Sequence, residues 1–478
     1  MTNANDPMLR ADHARPSPIR ANGPADRSDA MHLVQNAPCQ GESGTATLLR
    51  HLFRRFEGSL AMRLWDGSTI LVGKPPADEA STAFTLILCN PCVVRTLVLG
   101  RDPLRVAEAY FHGEIDIEGD FFAALVLKDH LQSIGLSWRG KFAAAFKALQ
   151  LPSSGRDLSG PDRPRKLRHA RTSKANSKAG DRAAIQFHYD VSNAFYALWL
   201  DQAMVYSCAY FQHKDQSLDL AQMAKLEHIC RKLQLRPNDR FLDIGCGWGA
   251  LVIHAARHFG VRAHGITLSR QQFELAQQRV EDAGLADRVI IELRDYRDVP
   301  GDGAFDKIAS VGMFEHVGLQ NLPAYFATVH RLLKPGGLFL NHGITHDVEG
   351  WEKTLSTTFI NRYVFPDGQL DTVSNIQRGM ERARFEICDV EALRPHYALT
   401  LRHWVARLER QHAQVLEQVD ESTYRVWRLY MAACALEFES GEIGVYQVLA
   451  RKRTPGAVLP LTRHYMYPAE STTKRELN

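Results

Sequence analysis

The sequence predicts an α/β chain: a doubly wound sheet preceded by a small α+β domain. Three observations predict it. From residue 183 onward, short apolar runs alternate with segments of helical period across short connections. That order builds a sheet of largely parallel strands with helices on its faces. One run opens into a glycine-rich turn and then a helix, Leu242-Asp-Ile-Gly-Cys-Gly-Trp-Gly249. Such a turn places a ligand at the carboxyl edge of the sheet. Ahead of it, residues 43–150 mix alternating and helical runs and carry no catalytic spacing.

The elements follow in order. Residues 1–42 are rich in Pro, Ala, Asn, Asp and Arg without apolar periodicity, and read as a disordered tail. Ser59 to Ser68 alternates and ends on Asp66-Gly67, a strand and hairpin signal. Phe84–Leu88 and Val93–Leu99 are further short apolar runs. Arg105–Phe111 is helical in period, Gly113–Gly119 alternates, and Phe121–Leu149 reads as helix. A role in lipid or membrane docking is expected for this domain. Residues 151–182 form a linker in which 163–178 holds seven Lys/Arg and no Asp or Glu. It reads as a solvated hinge or as an attachment to an anionic surface, each basic residue contributing on the order of 1 kcal/mol near an acidic membrane.

The large domain is expected over 183–455. Its strands are read at Phe241–Gly245, Val261–Thr267, Val289–Leu293, Phe305–Val311 and Gly337–His342. Its helices are read at Trp248–His258, Arg270–Ala283 and Leu322–Leu333. Gly444–Arg451 alternates and is expected to close the sheet as an edge strand, with a tail over 456–478.

Composition narrows the function. The 478 residues are 45% hydrophobic and 23% charged, an ordinary globular balance long enough for two or three domains. Lys and Arg number 58 against 54 Asp and Glu, a surplus of +4, which excludes a strongly basic nucleic-acid binder. Without the seven basic residues of 163–178 the balance is −3, so the surplus is local. Eight cysteines make no disulfide scaffold. Cys89 and Cys92 form a CxxC without a second pair, and no metal is expected there. No apolar run approaches ~18 residues and the N-terminus has no signal-peptide core, so a cytoplasmic location is expected.

The glycine turn points to a cofactor. Gly245, Gly247 and Gly249 let the backbone approach a ligand where a Cβ would intrude. Three features argue against NAD: the spacing is GxGxG, Asp243 sits inside the strand end, and the second strand ends in Gly-Ile-Thr267-Leu268 with no ribose acid. This is the pattern of class I methyltransferases, whose GxGxG turn contacts the amino-acid part of S-adenosylmethionine. Asp295 or Tyr296, after the third strand, is placed to contact the adenine, although Tyr296 could equally be a surface aromatic.

Several further patches carry a more specific signal. They are His188-Tyr-Asp190-Val-Ser-Asn-Ala-Phe-Tyr196, Tyr206-Ser-Cys-Ala-Tyr-Phe211, Ile266-Thr-Leu-Ser-Arg-Gln-Gln272 and Ser310-Val-Gly-Met-Phe-Glu-His-Val-Gly318. Leu340-Asn-His-Gly-Ile344, Phe359-Ile-Asn-Arg-Tyr-Val-Phe-Pro-Asp-Gly368 and His396-Tyr-Ala-Leu-Thr-Leu401 complete the set. Over about residues 180–455 the chain resembles the cyclopropane-fatty-acyl-phospholipid synthase and mycolic acid cyclopropane synthase family. The small domain ahead of the large one resembles the phospholipid-acting form. Departures at Ala194, Asp367 and Asp371 touch acyl-chain preference more than chemistry.

The resemblance implies roles for matching residues. Tyr206 and Ser207 reach the cofactor, Gly245 and Gly247 meet its amino-acid end, and Thr267, Leu268 and Gln272 hold its ribose side. Cys208, Glu315, His342, Ile344 and Tyr397 match the positions that bind a bicarbonate ion. The implied reaction is methyl transfer to a cis double bond of a phospholipid acyl chain, with proton removal closing a cyclopropane. A small bound anion suits that step, because a side-chain base beside a sulfonium would itself be alkylated. Tyr210, Phe211, Phe314 and Phe359 are candidates to stabilise the cation, each by up to ~2 kcal/mol when desolvated.

Plainer readings stand beside these: Cys208 as a small core residue, His342 as a core histidine, Tyr397 as aromatic packing. The implied partners are membrane phospholipids at the inner face of the cell membrane and a second copy of the chain, with no nucleic acid. The competing functions are methylation without ring closure and a lipid carrier with a relic cofactor fold.

Overall fold

In the computed structural model of the protein, the described residues are 44–53, 56, 59–73, 83–100, 103–127, 191–349, 359, 363–364, 368–456 and 459–467. The tail, the basic stretch 163–178, His188, Asp190, Asp367 and most of 121–149 lie outside them. Residues from Leu48 onward form one compact unit, which carries two sheets.

The smaller sheet has the order β2-β1-β3-β4, from β1 (Ser59–Arg63), β2 (Thr69–Gly73), β3 (Phe84–Leu88) and β4 (Ile115–Gly119). The Asp66-Gly67 hairpin joins β1 to β2 as expected, with Gly67 at φ +82°. Around it lie α1 (Gly44–Leu52), α2 (Pro91–Gly100), α3 (Pro103–Phe111) and α4 (Phe121–Leu125). The apolar run Val93–Leu99 is therefore helical. Asn90 turns the chain into α2, its side-chain oxygen accepting the Cys92 N–H at 2.8 Å, and Pro91 tolerates the first turn because its missing N–H would be unpaired there anyway.

The larger sheet has seven strands in the order β10-β11-β9-β8-β5-β6-β7. Strands β5 (Arg240–Ile244), β6 (Arg262–Thr267), β7 (Val289–Leu293), β8 (Phe305–Val311) and β9 (Leu333–His346) are parallel, on the segments the apolar runs predicted. Strands β10 (Phe385–Ala392) and β11 (Ile443–Lys452) add antiparallel pairs. Here the sequence reading needs correcting: β11 is not the edge. It inserts between β9 and β10, and β10, which the sequence reading did not identify, is the edge strand.

The helices of this part are α5 (Asn193–Trp199), α6 (Leu218–Lys232), α7 (Ala250–Phe259), α8 (Arg270–Asp282), α9 (Leu322–Leu332), α10 (Val373–Arg382), α11 (Arg394–Arg410), α12 (His412–Gln418) and α13 (Glu421–Ser440). One apolar core gathers Phe241, Val252, Ala255, Ile229 and Leu338, and a second gathers Leu242, Ile308, Phe326, Phe339 and Phe385. Burial of such side chains contributes roughly 1.5–3 kcal/mol each.

Two arginines of α13 grip the smaller sheet. Arg425 donates to the carbonyls of Tyr110 and Ile115, both at 3.1 Å, and pairs with Asp116 at 3.2 Å. Arg428 lies 3.8 Å over the ring of Phe121 and donates to Glu409 at 2.7 Å. Buried beneath them, the same helix carries Trp427, Tyr430 and Cys434 toward the larger domain's interior.

Candidate active site

The carboxyl edge of the larger sheet opens into a cleft enclosing about 1100 Å³, part of it open to solvent. Tyr206, Ser207, Asp243, Gly245, Gly247, Thr267, Leu268, Gln272 and Tyr296 all line it, so nine of the expected cofactor residues converge there. Gly245 and Gly247 have φ of +83° and +54°, and a Cβ on Gly245 would lie 2.9 Å from Met313 Cβ. The turn thus depends on glycine for both conformation and space. Thr267 Oγ1 donates to Gln272 Oε1 at 2.8 Å, and Ser269 caps α8 below them.

Two expected cofactor residues sit outside the cleft lining. Gly249 (φ +84°) begins α7 and lets it approach α8, where a Cβ would meet Ala276 Cβ at 3.4 Å. Asp295 is buried, and its carboxylate is taken by Arg297, with bonds of 2.8 Å from Nε and 2.6 Å from Nη2. Arg297 is then carried over the ring of Tyr296, 5.4 Å from its centroid. Of the pair after β7, the aromatic faces the cleft and the acid does not.

Two polar residues that sequence reasoning missed support the cleft from α6. Gln222 donates to the carbonyls of Val205 and Ser207 at 3.2 and 2.9 Å, which fixes the Tyr206–Ser207 segment. Lys225 is buried and donates to Ser207 Oγ at 3.0 Å. Burial brings its ammonium down to about 8, against the pull of Asp201, Cys208 and Asp243. Burial also pushes the Asp243 carboxyl up to about 7, against the pull of Lys225.

The five residues matched to an anion site lie deeper. Glu315 follows β8 on a short 3-10 turn, and its Oε1 accepts the Ile344 N–H of β9 at 2.8 Å. The Ile344 amide therefore holds the carboxylate. Glu315 is 8% exposed, its Oε2 has no partner among the described residues, and burial pushes its carboxyl up to about 7. Gly343 makes this possible: a Cβ there would lie 1.8 Å from Phe314 Cε1 and 3.1 Å from Glu315 Oε1.

His342 stands on the same strand and is 1% exposed. Gln447 Nε2 of β11 lies 3.2 Å from its Nδ1. With that amide donating, the ring proton sits on Nε2, which is buried without a partner among the described residues. Burial lowers the imidazole to about 3, so the ring is neutral. Cys208 is fully buried with its thiol against the carbonyls of Ala209 and Leu393, and burial holds the thiol well above its ordinary value. Tyr397 is within electrostatic reach of Tyr206, Cys208 and Glu315, which ties this group to the cleft.

Aromatic rings surround the junction in an arrangement the sequence did not indicate. Tyr206 packs at 5.3–5.7 Å against Trp404, Trp199 and Tyr196, and Trp404 reaches Tyr397 at 6.0 Å. Three candidates for cation stabilisation pack against other rings. Tyr210 stacks between His228 and His396, at 4.4 and 4.9 Å. Phe211 stacks on His403 at 5.5 Å. Phe359 packs on Phe111 and Tyr363, at 6.1 and 5.5 Å.

The comparisons agree with this architecture. Residues 176–448 match the family described as Mycolic acid cyclopropane synthetase. A probable fatty acid methyltransferase of Pseudomonas putida is 42% identical over 412 residues, 85% of this chain and 96% of its own length. The cyclopropane-fatty-acyl-phospholipid synthase of Escherichia coli K12 is 42% identical over 264 residues, 55% of this chain and 66% of its own. The solved mycolic acid cyclopropane synthase CmaA1, complexed with SAH and CTAB, has a TM-score of 0.54 at 34% identity, covering 57% of this chain and 98% of its own. With its seven-stranded class I methyltransferase sheet, glycine cleft and matched motifs, the chain belongs to the mycolic acid cyclopropane synthetase family of S-adenosylmethionine-dependent methyltransferases, enzymes of lipid acyl-chain modification.

Proposed function

We propose that this protein moves the methyl carbon of S-adenosylmethionine onto a cis double bond of a phospholipid acyl chain and closes a cyclopropane ring, with bicarbonate as the proton acceptor. The observation that carries this reading is that Glu315 Oε2 and His342 Nε2 are both buried without a partner among the described residues, while Met313 and His316, which flank Glu315 in the chain, line the cofactor cleft.

The residues present suit both absent groups. Bound at the glycine turn, S-adenosylmethionine would supply an electrophilic methyl on a sulfonium. The turn keeps side chains out of that space, and Thr267 and Gln272 would hold the ribose side while Tyr296 would meet the adenine. Attack by the alkene forms one carbon–carbon bond and breaks the carbon–sulfur bond, leaving positive charge on the second alkene carbon. A C–H bond of the transferred carbon then breaks, and its electron pair closes the ring. A small anion held by Glu315 and His342 would supply a base there that resists alkylation. Glu315, with its carboxyl near 7, can hold its proton and donate a hydrogen bond to such an anion, leaving the anion its basicity, and neutral His342 can donate a hydrogen bond from Nε2. Tyr397 and Trp404 bring π faces to the same region.

The acyl chain must be drawn from a bilayer, and no described helix is long and apolar enough to cross one. We place the enzyme on the inner face of the cell membrane, docked by the basic stretch 163–178 and by the smaller domain, whose Trp65 and Leu71 are exposed. A homodimer belongs to the reading on family resemblance alone.

A second reading has one observation in its favour. The relatives matched along nearly their whole length include the Pseudomonas putida fatty acid methyltransferase and, at 33% identity over 447 residues, a tuberculostearic acid methyltransferase of Mycobacterium tuberculosis. The same cation would then lose a proton without closing a ring, leaving a branch beside a double bond, and a saturated methyl branch would need a hydride from a separate nicotinamide-type reductant. Vesicles of unsaturated phospholipid with methyl-labelled cofactor decide between them. Label in lipid with a mass gain of one CH₂ and no remaining double bond supports ring closure. A labelled product of the same mass that keeps a double bond, or one two hydrogens heavier when a reduced nicotinamide is supplied, supports branching, and unlabelled lipid overturns both.

A further inference from the structure

Lys225 is an unusual residue to find inside this wall. It is 2% exposed, it lines the cofactor cleft, and its one direct partner among the described residues is Ser207 Oγ at 3.0 Å. No carboxylate of the described residues lies within ion-pair distance of its Nζ. Asp201 spends its two oxygens on the amides of Ala203 and Val205, at 2.9 and 2.8 Å. Asp243, which lines the same cleft, has a buried Oδ1 with no partner. A buried ammonium and a buried carboxyl that feel each other's charge but make no direct ion pair are each costly unless something enters to meet them. Both face one cleft, beside Gly245 and Gly247.

That pattern is complementary to a zwitterion. We propose that Lys225 anchors the α-carboxylate of the cofactor's amino-acid end, with the Ser207 hydroxyl as its second donor, while Asp243 accepts the α-ammonium. Ser207 accepts from Lys225 and so keeps its own hydrogen free to donate. Helix α6 thus does more than pack behind the turn: Gln222 fixes the Tyr206–Ser207 segment and Lys225, one turn on, supplies the charge. The inference rests on the cofactor reading above and assigns the selectivity of that site. The cleft selects for the amino-acid end of the ligand, and a nucleoside without that end loses the advantage.

The test is calorimetry with the full-length protein and three probes: S-adenosylhomocysteine, its decarboxylated analogue and 5′-methylthioadenosine. Wild type should bind S-adenosylhomocysteine roughly 10- to 100-fold more tightly than the decarboxylated analogue. In Lys225→Met that ratio should collapse toward unity while 5′-methylthioadenosine binds as it does to wild type. Ser207→Ala should lose part of the ratio. The unliganded Lys225→Met protein should melt no lower than wild type, because it loses a buried charge that had no carboxylate partner. Equal weakening of all three probes with a lower melting point would mark Lys225 as structural and overturn the proposal. So would wild-type affinity that ignores the carboxylate, which leaves the cofactor reading standing. Failure of S-adenosylhomocysteine to bind wild type at all would overturn the cofactor reading, and the proposal with it.

Discussion

Glu315 and Ile344 are bonded to each other: the carboxylate's Oε1 accepts the backbone N–H of the strand residue at 2.8 Å. One oxygen is thereby pinned to β9 and the other is aimed away, with His342 two residues back on the same strand. A buried carboxyl held at one oxygen has a fixed orientation and a raised proton affinity, which is what anion capture by a protonated acid requires.

Glu315→Gln keeps the size and the bond to Ile344 and removes the titratable proton. We expect lipid methylation to fall by about 100-fold or more, within the range of general acid–base contributions, while S-adenosylhomocysteine binds about as before. Labelled-lipid turnover and calorimetry on the same preparation check this. Wild-type turnover in the variant would take Glu315 out of the mechanism.

The same group gives a stability signature. The folded carboxyl sits near 7 against 4.5 unfolded, so its contribution is complete below about 4.5 and is lost as pH rises through about 7. Relative to wild type, Glu315→Gln should gain stability between pH 5 and 8, by up to about 3 kcal/mol in urea titrations. His342 has the opposite sign. Its imidazole is held near 3, so its contribution is complete above about 6.5 and is lost as pH falls toward 3. His342→Gln should flatten the acid limb.

Gly343→Ala places a methyl where Phe314 stands, 1.8 Å from Cε1. Phe314 and Glu315 must move, at a cost of about 1–3 kcal/mol. Activity should fall as far as in Glu315→Gln, while cofactor affinity stays close to wild type. A crystal structure of the variant would show the displaced ring.

Arg425→Ala removes two carbonyl bonds and an ion pair from the grip of α13 on the smaller sheet. A loss of about 2 kcal/mol or more is expected, since the bonds are charge-assisted and the guanidinium is 12% exposed. Limited proteolysis should cut earliest within β1 to β4 and spare the larger sheet. Uniform cleavage of both sheets would argue against a local role.

Much of the fold was legible because parallel strands buried on both faces read as continuous apolar runs. Phe241–Ile244 and Phe305–Val311 are such runs, and the glycine turn between strand and helix marked the cleft. Helix α6 was hidden because its buried face carries Gln222, Lys225, His228 and Lys232, which interrupt the apolar period. Strand β10 was hidden because Glu386, Asp389 and Glu391 give it the look of a loop. Those acids are met by Arg451, by Arg463 and Lys232, and by His228, partners far away in sequence. Strand β11 alternates like an edge strand, yet its polar Gln447 is fully buried against His342 rather than facing water. The positions that line the cleft were legible from their motifs, and the bonds among them were not. Nothing in the segment Tyr206–Phe211 says that Tyr210 turns to His228 and His396 while Ser207 turns to Lys225.

The place of β11 bears on the order in which the protein can be completed. It is made after β10, yet β10 pairs in the sheet through β11, and His342 takes its Nδ1 partner from Gln447. A nascent chain that has emerged as far as residue 440 already contains Glu315, His342, the glycine turn and all five parallel strands. It lacks the strand that sets the imidazole. Since domains fold as they leave the ribosome, the parallel strands and their glycine turn can take shape before His342 meets Gln447.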